Sequence, residues 1–242
     1  MLNRKSISSL VKAGDLSPAA KRQMESILKN KKEVLPGWSP TFLRRLGDVK
    51  TIIDIGVLNG TPALYKAFPN AHLILIEALP KYEETCRTLI QGRSGEIHMC
   101  AAGSEDGDTV IRHYPDLPAQ SSILKTVRET SLHAEEISIP IRRLDTLFKG
   151  RTFERDVLLK IDTEGFEYNI IKGALETLKQ VKFCITETSI RHRHQNSYRF
   201  ADLIELMAEN NFSLYDVLTV TREKAMRPQA SIMDAIFINE TC

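Results

Sequence analysis

The chain has 242 residues, 42% apolar and 26% charged, ordinary values that exclude a disordered or collagen-like polymer and suggest one large domain with an appendage. With 33 basic and 31 acidic residues the net charge is +2, too balanced for a protein held on nucleic acid or anionic lipid by bulk charge. The balance is uneven along the chain: residues 1–50 carry +7 and the remainder −5, a basic segment ahead of a mildly acidic body.

Residues 1–37 predict an N-terminal helical extension, and residues 38–242 the main domain. Within the extension, Ser17 caps a helix over residues 17–34, Pro18 suits its first position, and Ala20, Met24, Ile27 and Leu28 share one apolar face. A shorter helix is expected before it, and Leu35 to Pro40 reads as a linker. The extension is expected to serve acceptor binding or self-association into a homo-oligomer, since an amphipathic segment must bury its apolar face somewhere. Its first residues lack the apolar core of a secretory signal, and no apolar run approaches the ~18–20 residues of a membrane span. Cys86, Cys100, Cys184 and Cys242 lie at least 14 residues apart, without zinc-ribbon or redox spacing. The expected compartment is a reducing one, the cytoplasm.

From residue 50 short β-rich runs alternate with helical ones. Strands are expected at Thr51–Ile55, Leu73–Ile76, Glu96–Ala101, Val157–Asp162, Phe183–Thr188, Ser213–Val217 and Ile232–Ile238. Helices are expected from Thr61 to near Phe68, at Pro80–Leu89, Phe166–Lys179 and Arg199–Asn210. This rhythm predicts a mostly parallel, doubly wound α/β sheet of Rossmann-like type. Residues 104–145 interrupt it with a turn at Asp106-Gly107, an alternating strand through Ile137, Ile139 and Ile141, and a polar stretch, Leu117 to Glu129, read as a lid.

The most informative string is Asp54-Ile-Gly56-Val-Leu-Asn59-Gly60. A strand ends beside an acid, and two glycines four apart lead into a helix. Gly56 permits a tight turn and close backbone approach to a ligand. Glu77 follows at the end of the next strand, where a carboxylate can accept both hydroxyls of a ribose. Neither the dinucleotide pattern GxGxxG nor the phosphate-loop pattern GxxxxGK is present. A donor with a sulfonium and an ammonium, S-adenosylmethionine, suits a site that has Asp54 and no pyrophosphate to satisfy.

The second string is Lys160-Ile-Asp162-Thr-Glu164-Gly165-Phe-Glu167. Alternation puts Lys160 and Asp162 on one face of a strand. Capping and the positive helix end account for Glu164 and Glu167. They do not account for Lys160, because a lysine in a buried strand needs a partner.

With both strings the chain resembles the FkbM-type S-adenosylmethionine-dependent methyltransferases over roughly residues 38–238. The resemblance rests on DIG…NG at 54–60, LILIEALP at 73–80, AAG at 101–103, Ser121-Ser122, IRRLDTL at 141–147, LLKIDTEGFEYNIIKGA at 158–174 and ITET at 185–188. The family commonly has Gly-Ala-Asn after the first Asp-x, whereas Val57 and Leu58 stand here before Asn59. The resemblance implies a class I methyltransferase fold and O-methylation of a hydroxyl on a small molecule or glycan. The implied cofactor-binding residues are Asp54, Gly56, Asn59, Gly60, Glu77, Ala78, Ala101 and Ala102. The catalytic candidates are Asp162, which orients the acceptor hydroxyl, Lys160 beside it, and His192 as an alternative base whose ordinary pKa lies nearer 7. Arg191, Arg193 and Arg199 suggest an acidic acceptor.

Three other readings compete. A non-catalytic module would bind the cofactor without turnover. Tyr168-x-x-x-Lys172 has the spacing of short-chain reductases but lacks their glycine-rich loop and upstream serine. His192 and His194, with Glu187 nearby, resemble metal ligands but lack a third close His or Cys, so no metal is expected.

Overall fold

The computed structural model describes residues 35–127, 133–222 and 229–242; the helices expected before residue 35, and with them most of the 1–37 extension, lie outside these residues. Strand β1 (Thr51–Ile55) is buried along its whole length, as its run of β-branched residues predicts. Around it stand β2 (His72–Glu77), β3 (Gly95–Met99), β7 (Val157–Ile161), β8 (Val181–Ser189), β9 (Phe212–Arg222) and β10 (Ala230–Asn239). They form one seven-stranded sheet in the order β3-β2-β1-β7-β8-β10-β9. Pairings from β3 to β8 are parallel, and β10 runs antiparallel to both of its neighbours. This is the mostly parallel, doubly wound sheet the sequence predicts, with one reversed strand, β10, inserted between β8 and the edge strand β9.

Alternation along the strands divides the interior into two layers. Ile53, Ile55, Ile74, Ile76, Leu159 and Ile161 face one core, with Phe166, Ile170 and Ile171. Ile52, Leu73, Leu75, Leu158, Phe183 and Ile236 face the other, with Leu43, Leu64 and Tyr65. Helices cover both faces: α1 (Pro40–Leu43), α2 (Pro62–Ala67), α3 (Glu83–Ile90), α4 (Leu144–Leu147), α5 (Glu167–Lys172), α6 (Leu175–Leu178) and α7 (Phe200–Glu209). None among the described residues is long and apolar enough to cross a membrane.

Three departures from the sequence expectation have local causes. The strand expected over Glu96–Ala101 divides at Cys100: β3 stays in the main sheet and β4 (Ala101–Ala102) leaves it. β4 joins a second sheet with β5 (Gly107–His113) and β6 (Glu135–Arg142), in the order β4-β6-β5. The helix expected over Phe166–Lys179 is broken after Lys172, because the chain passes so close to Gly103 that a Cβ on Gly173 would stand 1.8 Å from its carbonyl oxygen. The strand expected at Ser213–Val217 runs on to Arg222, since β10 offers a partner through that length.

Candidate active site

The chain leaves β1 toward one edge of the sheet, through β2 and β3, and returns on β1's other side as β7. At such a switch point the loops beyond the strands diverge and leave a crevice. A cavity of about 470 Å³ opens there. The turn after β1 lines it, with the ends of β2 and β7, residue 187 of β8, and the segment 118–123.

The turn after β1 is tight. Gly56 (φ +75°), Leu58 (φ +48°) and Gly60 (φ +85°) all take left-handed backbone conformations. A Cβ on Gly56 would stand 1.9 Å from the carbonyl oxygen of Asp162. The glycine is therefore required by the neighbouring loop of the protein, and it lines the cavity as well. Leu58 occupies the position of the family's asparagine, a residue enriched in the left-handed region that leucine adopts at a cost. Its N–H donates to Glu77 Oε2 at 2.9 Å, and the Leu79 N–H donates to Glu77 Oε1 at 2.8 Å. Glu77 thus joins the ends of β1 and β2 while lining the cavity, and each of its oxygens keeps a lone pair for a ribose hydroxyl.

Asp54 is not where the sequence expectation put it. It is completely buried and does not line the cavity. Its Oδ2 accepts from the Thr61 hydroxyl at 3.0 Å and from the Tyr65 hydroxyl, so α2 hangs from it. Its Oδ1 lies 3.1 Å from Lys160 Nζ, the register partner on β7. Lys160 also donates to the Gly56 carbonyl at 3.0 Å and lies 3.5 Å from Asp162 Oδ2. Here are the partners that a buried lysine requires. Burial works against its charge, but Asp54 and Asp162 more than offset that, and its pKa is raised. Lys160 stays a cation that ties three segments together, and it cannot serve as a base.

Glu167 holds the loop after β7. Fully buried, its Oε1 accepts from the Thr163 N–H at 3.2 Å, the Thr163 hydroxyl at 3.1 Å and the Gly165 N–H at 3.0 Å. Its Oε2 accepts from the Tyr198 hydroxyl at 3.0 Å. Asp162 and Glu164 are thereby presented to the cavity. Burial pushes the Glu164 carboxyl up to about 7, with Arg193 opposing. Glu187 lines the same wall; burial, with Glu164, Asp162 and Glu167 nearby, holds its carboxyl well above the ordinary range. Arg193 bridges the two, contacting Glu164 and lying 3.3 Å from Glu187.

The segment read as a lid does cover the cavity. Pro118, Ala119, Ser121, Ser122 and Ile123 line it, and the Ser122 hydroxyl donates to the Glu164 carbonyl at 2.8 Å. Ser121 Oγ lies 3.0 Å from Nδ1 of the buried His113, whose Nε2 is 2.7 Å from Lys81 Nζ. Residues 128–129 of the expected lid lie outside the described residues.

Of the residues singled out from the sequence, Gly56, Asn59, Gly60, Glu77, Ala78, Ala101, Ala102, Lys160 and Asp162 line this one cavity. His192 is exposed and away from it, because the loop turns His192 outward and His194 inward. None of Arg191, Arg193 and Arg199 lines the cavity; Arg193 is held by two glutamates, and Arg199 by Asp202 at the start of α7. Tyr168 stacks on Tyr198 with Lys172 over its ring, outside the cavity, which removes the geometry for reductase chemistry. Trp38 is not singled out by the sequence, and Glu187 only as a neighbour of the histidines; both line the cavity. An acid at the carboxyl end of a parallel strand is the same signal that marked Glu77 and Asp162, and Glu187 carries it.

The profile of the methyltransferase FkbM domain matches residues 54–214. Methyltransferase 1 of Beauveria bassiana is 27% identical over 183 residues, covering 65% of this chain and 70% of that protein. The 2-O-methyltransferase NoeI of Sinorhizobium fredii is 26% identical over 171 residues, covering 64% and 70%. Among solved structures, magnesium protoporphyrin IX methyltransferase from Synechocystis, with bound S-adenosylmethionine, superposes with a TM-score of 0.45 at 10% identity over 95% of this chain and 89% of that one.

Proposed function

The chain belongs to the FkbM methyltransferase domain family, an S-adenosylmethionine-dependent family, and from that premise we propose that it methylates a hydroxyl group of a small molecule or sugar. The observation that carries this reading is one cavity lined both by Gly56, Asn59, Gly60 and Glu77 and by the carboxylates Asp162, Glu164 and Glu187. The residues fit the donor. Its sulfonium and ammonium would meet a lining in which the one cation among the described residues, Lys160, is already paired with Asp54 and Asp162. Glu77 would hold the ribose, Gly56, Asn59 and Gly60 the amino-acid end, and Ala78, Ala101 and Ala102 the flat base. Bound there, the donor supplies a methyl group on a positively charged sulfur.

The protein's own part is positioning. Attack needs oxygen, methyl carbon and sulfur in line, so a fixed acceptor supplies much of the rate. Asp162, held by Lys160 and backed by the Glu167 clamp, orients the acceptor hydroxyl. The segment 118–123 excludes water. The relative named as a 2-O-methyltransferase supports oxygen as the atom methylated. The acidic wall disfavours the acidic acceptor expected from the arginines and favours a neutral polyol or alcohol.

The test is incubation with methyl-labelled donor against panels of sugars, phenols, aliphatic alcohols and amines. Label on hydroxyl compounds is the expected result. Label on amines alone would replace the reading, and tight donor binding without transfer to any compound would favour a binding module.

A further inference from the structure

The carboxylates at the acceptor side form a row across three strands. Glu187 on β8 is the register partner of Asp234 on β10. On its other side Ile161 pairs with Thr186, and the next step of that register brings Asp162 beside Glu187. Neighbouring strands lie ~4.8 Å apart and register partners share a face, so three acids sit side by side. Like charges in that arrangement repel unless each has a distinct environment.

Their environments do differ. Asp234 accepts from the Trp38 indole N–H at 2.9 Å and from the Thr219 hydroxyl, and it is not a lining residue. Asp162 is half-exposed and held by Lys160. Glu164, on the adjoining loop, is tied to Arg193. Glu187 is mostly buried, with Oε2 3.3 Å from Arg193 Nη1 and no hydrogen-bond partner for Oε1 among the described residues. Each of these three lining carboxylates keeps one oxygen without a hydrogen bond among the described residues, but Glu187 is carried within a strand, β8, while Asp162 and Glu164 stand on the loop after β7.

Resting on the hydroxyl-acceptor reading above, we propose that Glu187 is the catalytic residue that takes the acceptor's proton, and that Arg193, shared with Glu164, is its positioning residue. The step balances. The acceptor oxygen forms a bond to the methyl carbon, and the carbon–sulfur bond breaks with its electron pair going to sulfur. The hydroxyl proton passes to Glu187 Oε1. A sulfonium and a carboxylate become a thioether and a carboxylic acid, so two opposite charges vanish together, a loss favoured more at a mostly buried carboxylate than in water. Water then removes the proton from Glu187.

The charged groups facing Glu187 come from every element around it. Asp162 and Lys160 are on β7 and its end, Glu164 and Glu167 on the following loop and α5, Asp234 on β10, and Arg193 on the loop after β8. Burial and the acids favour the neutral carboxyl; Arg193 favours the carboxylate that accepts a proton. The Arg193 backbone is itself fixed, its carbonyl accepting from the Val127 N–H at 2.8 Å, so the covering segment that closes the cavity also sets this arginine.

The experiment uses the full chain, methyl-labelled donor, and panels of monosaccharides, phenols and amines as probes. Glu187→Gln, Glu187→Asp, Arg193→Lys and Asp162→Asn are compared with wild type in single turnover across pH 5–9. Donor affinity is measured by calorimetry and folding by circular dichroism. The expected result for Glu187→Gln is donor affinity within about fivefold, methyl transfer slower by ~10²–10⁴, and loss of the rise in rate with pH. Glu187→Asp should keep more of the rate, and Arg193→Lys should shift the pH profile. A Glu187→Gln enzyme with the wild-type rate and profile would overturn the proposal and leave the hydroxyl reading intact. Loss of the pH-dependent rise in Asp162→Asn but not in Glu187→Gln would move the base to Asp162. Wild-type transfer to amines alone overturns both. A readout that needs no acceptor is carbon-13 NMR of labelled glutamate carboxyls, with Glu187 assigned from the Gln variant. Titration at the pH where single-turnover transfer rises is expected, and titration away from that pH overturns the proposal.

Discussion

Replacing Lys160 by methionine removes the cation between Asp54 and Asp162 while nearly preserving volume, so packing changes contribute little. Lys160 is 4% exposed and Asp54 completely buried. Among the described residues Asp54 Oδ1 has no hydrogen-bond donor, and its charge partner is Lys160 Nζ at 3.1 Å. Breaking such a pair leaves an uncompensated buried charge, at a cost of ~3–5 kcal/mol. The Gly56 carbonyl also loses its 3.0 Å bond from Nζ, worth about 1 kcal/mol. Lys160→Met should therefore lose ~4–6 kcal/mol in urea unfolding at pH 7, with an unchanged denaturant slope. Asp54→Asn added to it should recover part of the loss, since the stranded charge is gone. The Lys160 pKa is raised above 10.5, so its contribution is complete below that pH and is lost only as pH rises through the folded value. The difference between variant and wild type should therefore be flat from pH 6 to 9. A loss below about 1 kcal/mol, or no recovery in the double variant, would refute the view that this lysine ties the turn, β1 and β7 together.

Gly56→Ala should be more severe for the site than for the sheet. The residue has φ +75°, and its Cβ would lie 1.9 Å from the Asp162 carbonyl oxygen, so the two loops must part; a loss of ~3 kcal/mol or more is expected in unfolding experiments, with donor binding abolished in calorimetry. Glu77→Ala should weaken donor binding by ~1–3 kcal/mol, and unchanged affinity would remove Glu77 as the ribose acid. His194 is 2% exposed, and burial first, then Arg193 and His192, lower its pKa from 6.5 to about 4. Its contribution to stability is whole above pH 6.5 and is lost as pH falls through about 4, so wild type should lose ~3 kcal/mol relative to His194→Gln over that window. Parallel stability curves for the two proteins from pH 7 to 4 would contradict that assignment.

Much of this protein is written locally. Thr51 to Ile55, His72 to Glu77 and Val157 to Ile161 are short apolar runs that can only be buried strands, and their alternation with helical segments implies a parallel sheet covered on both faces. The glycines after β1, the acid ending β2 and the Lys-x-Asp ending β7 mark the crevice, because the carboxyl ends of parallel strands are where loops diverge. Gly56, Glu77 and Asp162, which carry that signal, all line one cavity.

What only the tertiary structure decided is which residues from distant stretches stand side by side. Asp54 reads as a ligand-facing acid, yet strand register sets it against Lys160 and beneath Tyr65, inside the core. Gly56 lines the cavity, and its missing side chain also makes room for the Asp162 carbonyl, a neighbour 106 positions later in the chain. The break at Gly173 depends on the approach of Gly103, 70 positions earlier in the chain. The row of Asp162, Glu187 and Asp234 exists because β7, β8 and β10 are neighbours in that order and register. Hydrophobic periodicity fixes which face of a strand is buried. Sheet order and register, set by packing of the whole chain, fix which polar groups meet on that face, and those meetings decide which carboxylate can hold a proton.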